Sequence, residues 1–418
     1  MKSSNRAYNE ISRCRISNST NLLKVLSLGE QYLTGVFPKS SDSSISKGPI
    51  DLVWCQDSGL LQLKQSYDLN EMYGKNYGYR SALNASMVSH LAHKANFLQR
   101  EYPLKNKDVV IDIGANDSTL LQQFKVEGIR RIGIDPTGLK FSKYYPEDIE
   151  LIPEFYSTAK VWEYAPGIRA KLITSISMFY DLENPIQFVS EIAEILEDDG
   201  LWHFEQSYMP SMLRLNSYDT ICHEHLEYYS LHVVKSILEK CDMKILDVEM
   251  NSVNGGSFAV TACKRKAPYP SNEVIINWIL NQEISMGLMT PAPYREFESR
   301  VFQHRLNLLH LIRGLREDGK KVFGYGASTK GNVMLQFCGF TKDDINCIAE
   351  VNEEKFGTYT PGTNIPIISE EEARKQKPDY FLVLPWHFKH GIIEREKEYL
   401  SAGGKMIFPM PEIEIIGG

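Results

Sequence analysis

The chain has 418 residues, of which 43% are hydrophobic and 24% are charged. These fractions are close to globular averages, so composition excludes a fibrous protein and a largely disordered one. The formal net charge of −7 excludes the broad basic face that nucleic acid or an anionic membrane would need. At roughly 150 residues per domain, the length predicts two or three compact domains.

The sequence has no uninterrupted run of about 20 apolar residues that could span a membrane. Its polar start, MKSSNRAYNEISR, lacks the apolar segment of a signal peptide, so we expect a cytoplasmic protein. The seven cysteines are odd in number and scattered, which favours reduced thiols over a disulfide framework.

The first part of the chain has the spacing of a zinc ribbon but only half of its thiols. Such a ribbon needs two Cys-x-x-Cys knuckles, and here Cys14 is followed by Ser17 and Cys55 by Ser58. A hydroxyl is a poor zinc ligand at neutral pH, so we predict no metal; a surviving zinc would rest on Cys14 and Cys55. The expected structure is a ribbon-like lobe with Trp54 in its interior.

Further along, a segment rich in Tyr and Gly leads into an apolar-periodic helix that begins at about Asn84. From residue 108 onward, strand and helix patterns alternate, starting with DVVIDIGAND and a helix after it. This alternation predicts a largely parallel, doubly wound sheet. MKILDVEMN and GGSFAVTAC follow one another without a helix between them, which predicts an antiparallel hairpin at the edge of that sheet.

A charged helical stretch at 270–318 separates this unit from a second α/β unit, which opens with KKVFGYGASTKGNVMLQFC. The repeated alternation predicts a smaller Rossmann-like domain at the end of the chain. The expected domains are a zinc-ribbon-like lobe at 1–75, a class I Rossmann-like domain at 76–268, and a helical linker with the C-terminal domain at 269–418.

The first βα turn, in VVIDIGANDSTLL, has one glycine and several acidic or amide side chains. A dinucleotide site would need Gly-x-Gly-x-x-Gly to admit a pyrophosphate, so this turn better suits a cationic, amino-bearing ligand such as S-adenosylmethionine. Asp135 ends the next strand and is expected to accept hydrogen bonds from ribose hydroxyls. The alternative is that Asp112 and Asp135 only cap helices. The predicted cofactor site comprises Asp112, Gly114, Asn116, Asp117, Asp135 and Ser177.

FGYGASTKGN, at residues 323–332, is a second glycine-rich turn from a strand into a helix, and it carries the cation Lys330. It resembles a phosphate cradle more than the first turn does. An NAD site is an alternative, with Glu350 as the acid that would follow the next strand. A tight structural turn without a ligand is the other alternative.

DTICHEHLEYYS, at residues 219–230, is an insertion after the strand of GLWHFEQSYMP, where ligands of open α/β sheets collect. Metal binding by His223 and His225 would need an extended backbone and a third ligand. A histidine that acts as general base needs only hydrogen-bond reach and an orienting partner. A histidine pair that bridges core and surface is the structural alternative, but the position favours the base.

The chain resembles the family of sugar C-methyltransferases, which methylate C-3 of nucleotide-linked 4-keto-6-deoxy sugars. The resemblance covers nearly the whole chain and rests on several motifs in order: LSLGEQYLTGVFP, DLVWCQDSGLLQL, NYGYRSALNASMV, DIGAND, SYDTICHEHLEYYS, VNGGSFAVT and GYGASTKGN.

The resemblance implies that His225 removes the C-3 proton beside the C-4 ketone, with Glu224 positioning the sugar or the base. It also implies that Tyr77 or Tyr79 stabilises the enolate oxygen and that the last domain holds the nucleotide, with GYGASTKGN on the diphosphate. The substrate-binding residues expected on this basis are His223, Asn254, Gly324, Tyr325, Gly326, Ala327, Ser328, Lys330 and Asn332.

Three positions depart from the family pattern. Cys222 stands where some members have a tyrosine, whose role would pass to Tyr228 or Tyr77. Asp181 stands where some members have a histidine, and the half-lost cysteine knuckles put the structural zinc in doubt. These departures predict a divergent branch with a different sugar or nucleotide.

The expected protein is thus an S-adenosylmethionine-dependent C-methyltransferase that acts on a GDP- or dTDP-linked 4-keto-6-deoxyhexose in deoxysugar, surface-polysaccharide or natural-product biosynthesis. We expect a monomer or small homo-oligomer, with neither nucleic acid nor membrane as a partner. The alternatives are an O-methyltransferase, an NAD-binding oxidoreductase and a non-catalytic sensor of sugar nucleotides.

Overall fold

Four β-sheets organise residues 8–40, 45–68, 72 and 79–417, the part of the chain that the computed structural model describes. The largest sheet has seven strands in the order β12-β13-β10-β9-β6-β7-β8, which is the open, doubly wound arrangement that the sequence predicts. Its strands are β6 (Val109–Ile113), β7 (Arg130–Ile134), β8 (Ile149–Ile152), β9 (Ala170–Ile176), β10 (Leu196–Ser207), β12 (Met243–Asn251) and β13 (Ser257–Lys264).

The five strands from β10 to β8 are parallel, whereas β13 pairs antiparallel with both β10 and β12. The predicted edge hairpin is therefore confirmed, as is the α/β class with a Rossmann-like core. Strand β6 is buried at all five positions because helices cover both faces of the sheet. The helices of this unit are α1 (Ala85–Glu101), α2 (Gly138–Phe141), α3 (Thr158–Tyr164), α4 (Pro185–Ile195), α5 (Met209–Leu215) and α6 (Leu231–Lys240).

Several helices begin where a capping side chain accepts a hydrogen bond from the first turn. Asn84 caps α1, Asn184 caps α4 and Ser230 caps α6, each through its own side-chain oxygen. The cap at Asn84 explains why α1 begins where the sequence predicts.

The prediction of a helix directly after DIGAND is wrong. Between β6 and β7 the chain forms turns and one short 3-10 segment, Leu121–Gln123. Asn116 and Ser118 have positive φ angles of 49° and 63°, which a right-handed helix cannot contain. The Asp117 carboxylate also accepts hydrogen bonds from the backbone and the hydroxyl of Thr119, which competes with helical pairing.

The N-terminal lobe consists of two antiparallel sheets. One pairs β1 (Tyr8–Glu10) with β5 (Gln65–Tyr67), and the other has the order β11-β4-β3-β2. Its strands are β2 (Leu22–Tyr32), β3 (Lys47–Cys55), β4 (Leu61–Leu63) and β11 (Glu227–Tyr228). Because β11 comes from the end of the DTICHEHLEYYS segment, this pairing fixes that segment between the lobe and the central sheet.

Helices α7 (Glu273–Ser285) and α8 (Ala292–Glu317) confirm the helical stretch that precedes the last unit. The last sheet has six strands in the order β16-β15-β14-β17-β18-β19, all parallel except β19. The strands are β14 (Val322–Tyr325), β15 (Ile348–Glu350), β16 (Ile367–Ser369), β17 (Tyr380–Val383), β18 (Lys405–Phe408) and β19 (Glu414–Ile416). The helices of this unit are α9 (Thr329–Cys338), α10 (Glu370–Lys375), α11 (Lys389–Arg395) and α12 (Lys397–Ser401).

The N-terminal lobe and the last unit share one hydrophobic core, although they lie at opposite ends of the chain. Trp54 of the lobe stacks on Tyr294 of α8 with ring centroids 4.9 Å apart. The Gln336 side chain of α9 accepts from the backbone N–H of Tyr32 at 2.8 Å and donates to the Tyr32 carbonyl at 3.1 Å. Strand β2 is thereby fixed against α9.

The described helices include none that combines the length and the apolar character required to cross a lipid bilayer.

Candidate active site

A cavity of about 1240 Å³ lies where the N-terminal lobe, the central sheet and the last unit meet. Its wall includes the turn after β6, the DTICHEHLEYYS segment, the turn after β14 and two residues of the lobe, Gly35 and Phe37. The three sequence motifs with candidate chemistry therefore face one enclosed space.

His225 is oriented by its own segment. Its Nδ1 lies 2.7 Å from the carbonyl oxygen of Thr220, which can only accept, so Nδ1 carries the proton and Nε2 does not. The Tyr180 ring packs edge-on against the imidazole at a centroid distance of 4.3 Å. Burial, offset in part by the bond to Thr220 and reinforced by the Lys330 charge, lowers the pKa of His225 to about 4. The ring on the cavity wall is thus neutral and able to accept a proton.

Glu224 lines the cavity beside His225. Burial raises the pKa of its carboxyl to about 7, and the thiol of Cys222 donates to Oε2 at 3.5 Å. A Cβ added to Gly35 would lie 2.6 Å from Oε1, so only glycine lets the lobe approach this carboxyl so closely. Asp181, the position of the missing family histidine, also lies on the wall.

His223 does not line the cavity, which corrects its expected contact with substrate. Its ring is only 1% exposed, its Nε2 donates to the Gln31 carbonyl at 3.1 Å, and it packs edge-on against Tyr67. The two histidines serve different parts of the fold because only His225 faces the cavity. Among the described residues, no group of three or more His, Cys, Asp or Glu side chains could hold a metal ion.

Asp112 and Gly114 line the end of the cavity at β6. Gly114 has a φ of 77°, and a Cβ there would lie 3.2 Å from the Met178 side chain, so glycine keeps this turn open. Thr174 donates to one Asp112 oxygen at 2.7 Å, and burial raises the pKa of Asp112 to about 7. The described ion pairs do not include Asp112, so its charged form is best stabilised by a cationic ligand.

Asp135 and Ser177 also line this end of the cavity. One Asp135 oxygen accepts from the Asn116 backbone N–H at 2.8 Å, and the other accepts from the backbone and the hydroxyl of Thr137. These bonds stabilise the two turns around Asp135 and do not cap a helix, because α2 begins at Gly138 without a capping side-chain bond. Lone pairs remain for hydroxyl donors, because a carboxylate can accept about four hydrogen bonds.

The segment before α1 closes over the DIGAND turn. Asn116 Oδ1 accepts from the backbone of Ser81 at 3.0 Å, and its amide donates to the Tyr79 carbonyl at 3.2 Å. Tyr79 lines the cavity with 47% of its side chain exposed, whereas Tyr77 lies outside the described residues. Asp117 is absent from the wall: its carboxylate accepts from the backbone of Ala82 at 3.1 Å, so it organises this segment rather than facing a ligand.

At the end of the cavity opposite Asp112, the turn after β14 contributes residues expected to bind substrate: Tyr325, Gly326, Ala327, Ser328 and Lys330. Ser328 caps α9 by accepting from the Gly331 N–H at 3.0 Å. Asn254 lies on the wall too, and its carbonyl accepts from Lys330 Nζ at 2.7 Å.

Two residues expected to bind substrate do not reach the cavity. Gly324 lies within β14, where a Cβ would be 2.3 Å from Ile348 Cδ1, so this glycine serves the packing of β14 against β15. Asn332 is fully buried and donates to the Thr34 carbonyl at 2.7 Å, which ties α9 to the N-terminal lobe.

The four zinc-knuckle positions meet in space, but they pair through hydrogen bonds. Cys14 Sγ lies 3.3 Å from Ser58 Oγ, and Ser17 Oγ lies 3.5 Å from Cys55 Sγ. Burial raises the pKa of Cys14, but hydrogen bonds from Ser17 and Ser58 and from nearby backbone lower it more, for a net lowering. Two thiols and two hydroxyls do not fit a structural zinc, which needs four soft or imidazole ligands.

The sequence analysis missed wall residues that come from remote parts of the chain, such as Gly35, Phe37 and Lys355. Lys355 donates to the Ala327 carbonyl at 2.7 Å and so braces the turn after β14. A second missed contact is the indole of Trp386, which donates to the buried carboxylate of Asp219 at 2.7 Å. No local pattern marks these pairs, because each joins segments far apart in the sequence.

Comparison with known proteins identifies the family. Three family models match in chain order: "Putative zinc binding domain" at residues 14–73, "Methyltransferase domain" at 85–248 and "C-methyltransferase C-terminal domain" at 252–411. C-methyltransferase NovU of Streptomyces niveus is 31% identical over 411 residues, which are 97% of each chain. The chain belongs to the S-adenosylmethionine-dependent C-methyltransferase family. S-adenosylmethionine is therefore the cofactor of this C-methyltransferase.

Two solved methyltransferase structures each resemble part of this C-methyltransferase. A methyltransferase in complex with the Trm112 activator of Haloferax volcanii is 14% identical, covering 43% of this chain and 92% of that one, with a TM-score of 0.35. Magnesium protoporphyrin IX methyltransferase from Synechocystis PCC 6803, solved with bound S-adenosylmethionine, is 12% identical, covering 42% and 79%, with a TM-score of 0.32.

Proposed function

We propose that this C-methyltransferase methylates C-3 of a nucleotide-linked 4-keto-6-deoxyhexose of the GDP or dTDP type through an enolate. The product would be a branched deoxysugar for a surface polysaccharide or a natural product. One observation carries the proposal: a single cavity joins the turn after β6, the imidazole of His225 and the turn after β14. A bound cofactor at one end and a nucleotide at the other would leave the sugar beside His225.

His225 is the proposed base. Its Nε2 has no proton because Nδ1 donates to Thr220, so it can take the C-3 proton of the sugar. The electrons of that C–H bond then form a C–C double bond, and the carbonyl π electrons move to the oxygen, where a hydrogen-bond donor must stabilise them. When bound, S-adenosylmethionine would supply the methyl group: C-3 would form the new C–C bond as the carbonyl re-forms, and the electrons of the broken S–CH3 bond would stay on sulfur in S-adenosylhomocysteine.

Glu224 and Asp112 have the proposed binding roles. Glu224 lines the cavity next to His225, where its carboxylate can accept from a sugar hydroxyl. Asp112 is a buried carboxylate without a described ion-pair partner, which suits the amino group of S-adenosylmethionine. Gly114, Asn116, Asp135 and Ser177 complete the proposed cofactor wall.

The enolate route is tested by hydrogen exchange at the sugar. The enzyme is incubated in deuterated water with dTDP- or GDP-4-keto-6-deoxyhexose and no cofactor, and the C-3 position is followed by NMR. We expect deuterium to enter C-3, and methyl carbon to appear there once S-adenosylmethionine is added. Methylation of oxygen without C-3 exchange would instead establish an O-methyltransferase, and binding of NADH in place of S-adenosylhomocysteine would favour an oxidoreductase.

The base assignment is tested with His225→Ala. Loss of a general base costs about 10²- to 10⁴-fold in rate, so both methylation and C-3 exchange should fall below detection or nearly so. Calorimetric binding of S-adenosylhomocysteine should remain, because the turn after β6 is untouched. Retention of most activity by the variant would remove His225 from this role.

A further inference from the structure

The enolate oxygen needs a donor. Tyr79 lines the cavity as the donor expected from the family resemblance, and the basic side chains offer a second, charged donor. Four Lys or Arg side chains line the cavity: Arg80, Lys330, Lys355 and Arg395. Three of them have partners away from His225. Arg80 lies over the Tyr144 ring, Lys355 donates to the Ala327 carbonyl, and Arg395 pairs with Glu370.

Lys330 differs from these three because its side chain leaves the turn after β14 and reaches the central domain, which carries His225. It is the second residue of α9, and its Nζ crosses to the central domain to donate to the Asn254 carbonyl at 2.7 Å. An ammonium has three donors, so two remain after this bond. The charge of Lys330 also acts on the imidazole and contributes to the lowered pKa of His225.

A buried carboxylate stabilises the positive charge of Lys330. Burial lowers the pKa of Lys330, and the charge of the fully buried Asp219 offsets part of that lowering. One Asp219 oxygen accepts from the Trp386 indole, and the other has no hydrogen-bond partner among the described residues. Trp386 therefore fixes Asp219 and leaves its second oxygen available to balance a nearby cation.

We propose that Lys330 is a further catalytic residue, whose ammonium donates a hydrogen bond to the carbonyl oxygen of the sugar as the enolate forms. The inference rests on the proposed function. The proton leaves C-3 for His225 Nε2, the carbonyl oxygen gains the electron pair, and Lys330 keeps its proton throughout. The negative oxygen then lies between two cations, Lys330 and the protonated His225, which offsets their mutual repulsion.

This role replaces the diphosphate contact expected for Lys330 from the sequence. The bond to Asn254 and the charge of Asp219 direct the ammonium toward the central domain. A diphosphate at the turn after β14 would instead contact the start of α9 at Ser328 and Thr329, because the N–H groups of Gly326 and Ala327 already donate to the Ala349 carbonyl and the Glu350 carboxylate. The link from α9 to Asn254 also makes the last domain necessary for chemistry as well as for binding.

The test uses Lys330→Met in the full-length enzyme. We expect the rate of C-3 deuterium exchange and kcat for methylation to fall at least about 100-fold, the usual effect of losing one oxyanion donor. Binding of dTDP or GDP alone, and of S-adenosylhomocysteine, should stay close to wild type. Lys342→Met, which removes an exposed charge from the same domain, should exchange and methylate at the wild-type rate.

Two further variants separate chemistry from folding. Lys330→Gln retains a donor for the Asn254 carbonyl but not the charge, so it should fold even if the Met variant does not and should show the same loss. Methylammonium should partly restore exchange in Lys330→Ala, which a purely structural role would not allow.

Other outcomes overturn the inference. Exchange at the wild-type rate in Lys330→Met and Lys330→Gln would remove Lys330 from catalysis. A loss confined to dTDP and GDP affinity would return Lys330 to nucleotide binding. If the wild-type enzyme itself shows no C-3 exchange, the proposed function fails and this inference fails with it.

Discussion

His225 and Glu224 are neighbours whose pKa values move in opposite directions for one reason. Burial disfavours the charged form of each, which lowers the pKa of the imidazole to about 4 and raises that of the carboxyl to about 7. Near neutral pH the histidine is therefore fully neutral while the glutamate is half ionised. A base next to a carboxyl that titrates at working pH predicts a specific pH profile.

We expect kcat/KM to rise with pH through about 7, because the ionised Glu224 carboxylate accepts from the sugar hydroxyl. His225 adds no titration in this range, since its Nε2 is already unprotonated above a pH of about 4. Glu224→Gln keeps the shape but cannot ionise. With S-adenosylmethionine saturating, so that bound cofactor keeps Asp112 ionised, the rate of this variant should be lower and flat across the same range. A limb near pH 7 that persists in this variant would assign the titration to another group.

The paired thiols and hydroxyls of the N-terminal lobe predict that the native protein retains no stoichiometric zinc after dialysis, as measured by plasma mass spectrometry. Ser17→Cys with Ser58→Cys restores four thiolates, so this double variant should bind zinc stoichiometrically and melt at a higher temperature when loaded. Ser17→Cys alone, with three thiolates, should bind more weakly. Stoichiometric zinc in the native protein would show that serine hydroxyls suffice as ligands.

Helix α1 is joined to the central sheet through one buried carboxylate, Glu205 of β10. Its oxygens lie 2.6 Å from His90 Nε2 and 3.0 Å from Lys94 Nζ, and Asn251 donates to it at 2.8 Å. The Glu205 carbonyl also accepts from the backbone of Ser177 on the cavity wall at 2.7 Å. Glu205 therefore links α1, through its side chain, to the cofactor end of the cavity, through its backbone.

Glu205→Gln should lower the free energy of unfolding by about 2 kcal/mol at neutral pH, because the buried Lys94 ammonium then keeps only the half-exposed Glu249 carboxylate, at 2.8 Å, as its anion. Burial opposes ionisation of Glu205, but its bond to His90 and the Lys94 charge lower the pKa to about 2. This stability is present above the unfolded pKa of about 4.5 and is lost as the pH falls toward about 2.

Urea unfolding of the Glu205→Gln variant and the wild type should therefore converge as the pH is lowered. Glu239→Gln is the matched control, since its pair with Lys235 is exposed and worth less than about 1 kcal/mol. A constant difference between wild type and the Glu205 variant at every pH would show that the carboxylate charge does not carry the effect.

The N-terminal lobe and the C-terminal domain are joined beside the cavity. Hydrogen bonds tie α9 to β2 and to the loop after β2, and that loop lies against Glu224. Gln336→Ala should destabilise the protein by about 2 kcal/mol, because it leaves two buried backbone groups of Tyr32 without partners. Hydrogen exchange should then rise in both β2 and α9. Gln303→Ala removes an exposed side chain on α8 and should change neither.

If exchange in the Gln336→Ala variant rises in α9 while β2 stays protected, the lobe is held by other contacts. In that case the apolar stacking of Trp54 on Tyr294 would carry the attachment, because it is independent of the hydrogen bonds.

The local patterns that predicted correctly act over a few residues. Asn84, Asn184 and Ser230 mark helix starts because a capping side chain bonds to the turn that follows it. The predicted helix after β6 was wrong because side-chain bonds of Asp117 and the left-handed Asn116 favour turns, and apolar periodicity does not register either effect.

By itself the sequence determined the α/β class and the order of the sheets, because spacing and periodicity encode them locally. Its motifs carried the resemblance to the family, which singled out the segment that contains His225. Only the tertiary structure decided that His223 turns to Gln31, that Gly35 reaches Glu224, and that Lys330 reaches Asn254. Each of these contacts joins segments whose distance along the chain carries no pattern. The cavity they form exists only once β2, the central sheet and α9 have packed together.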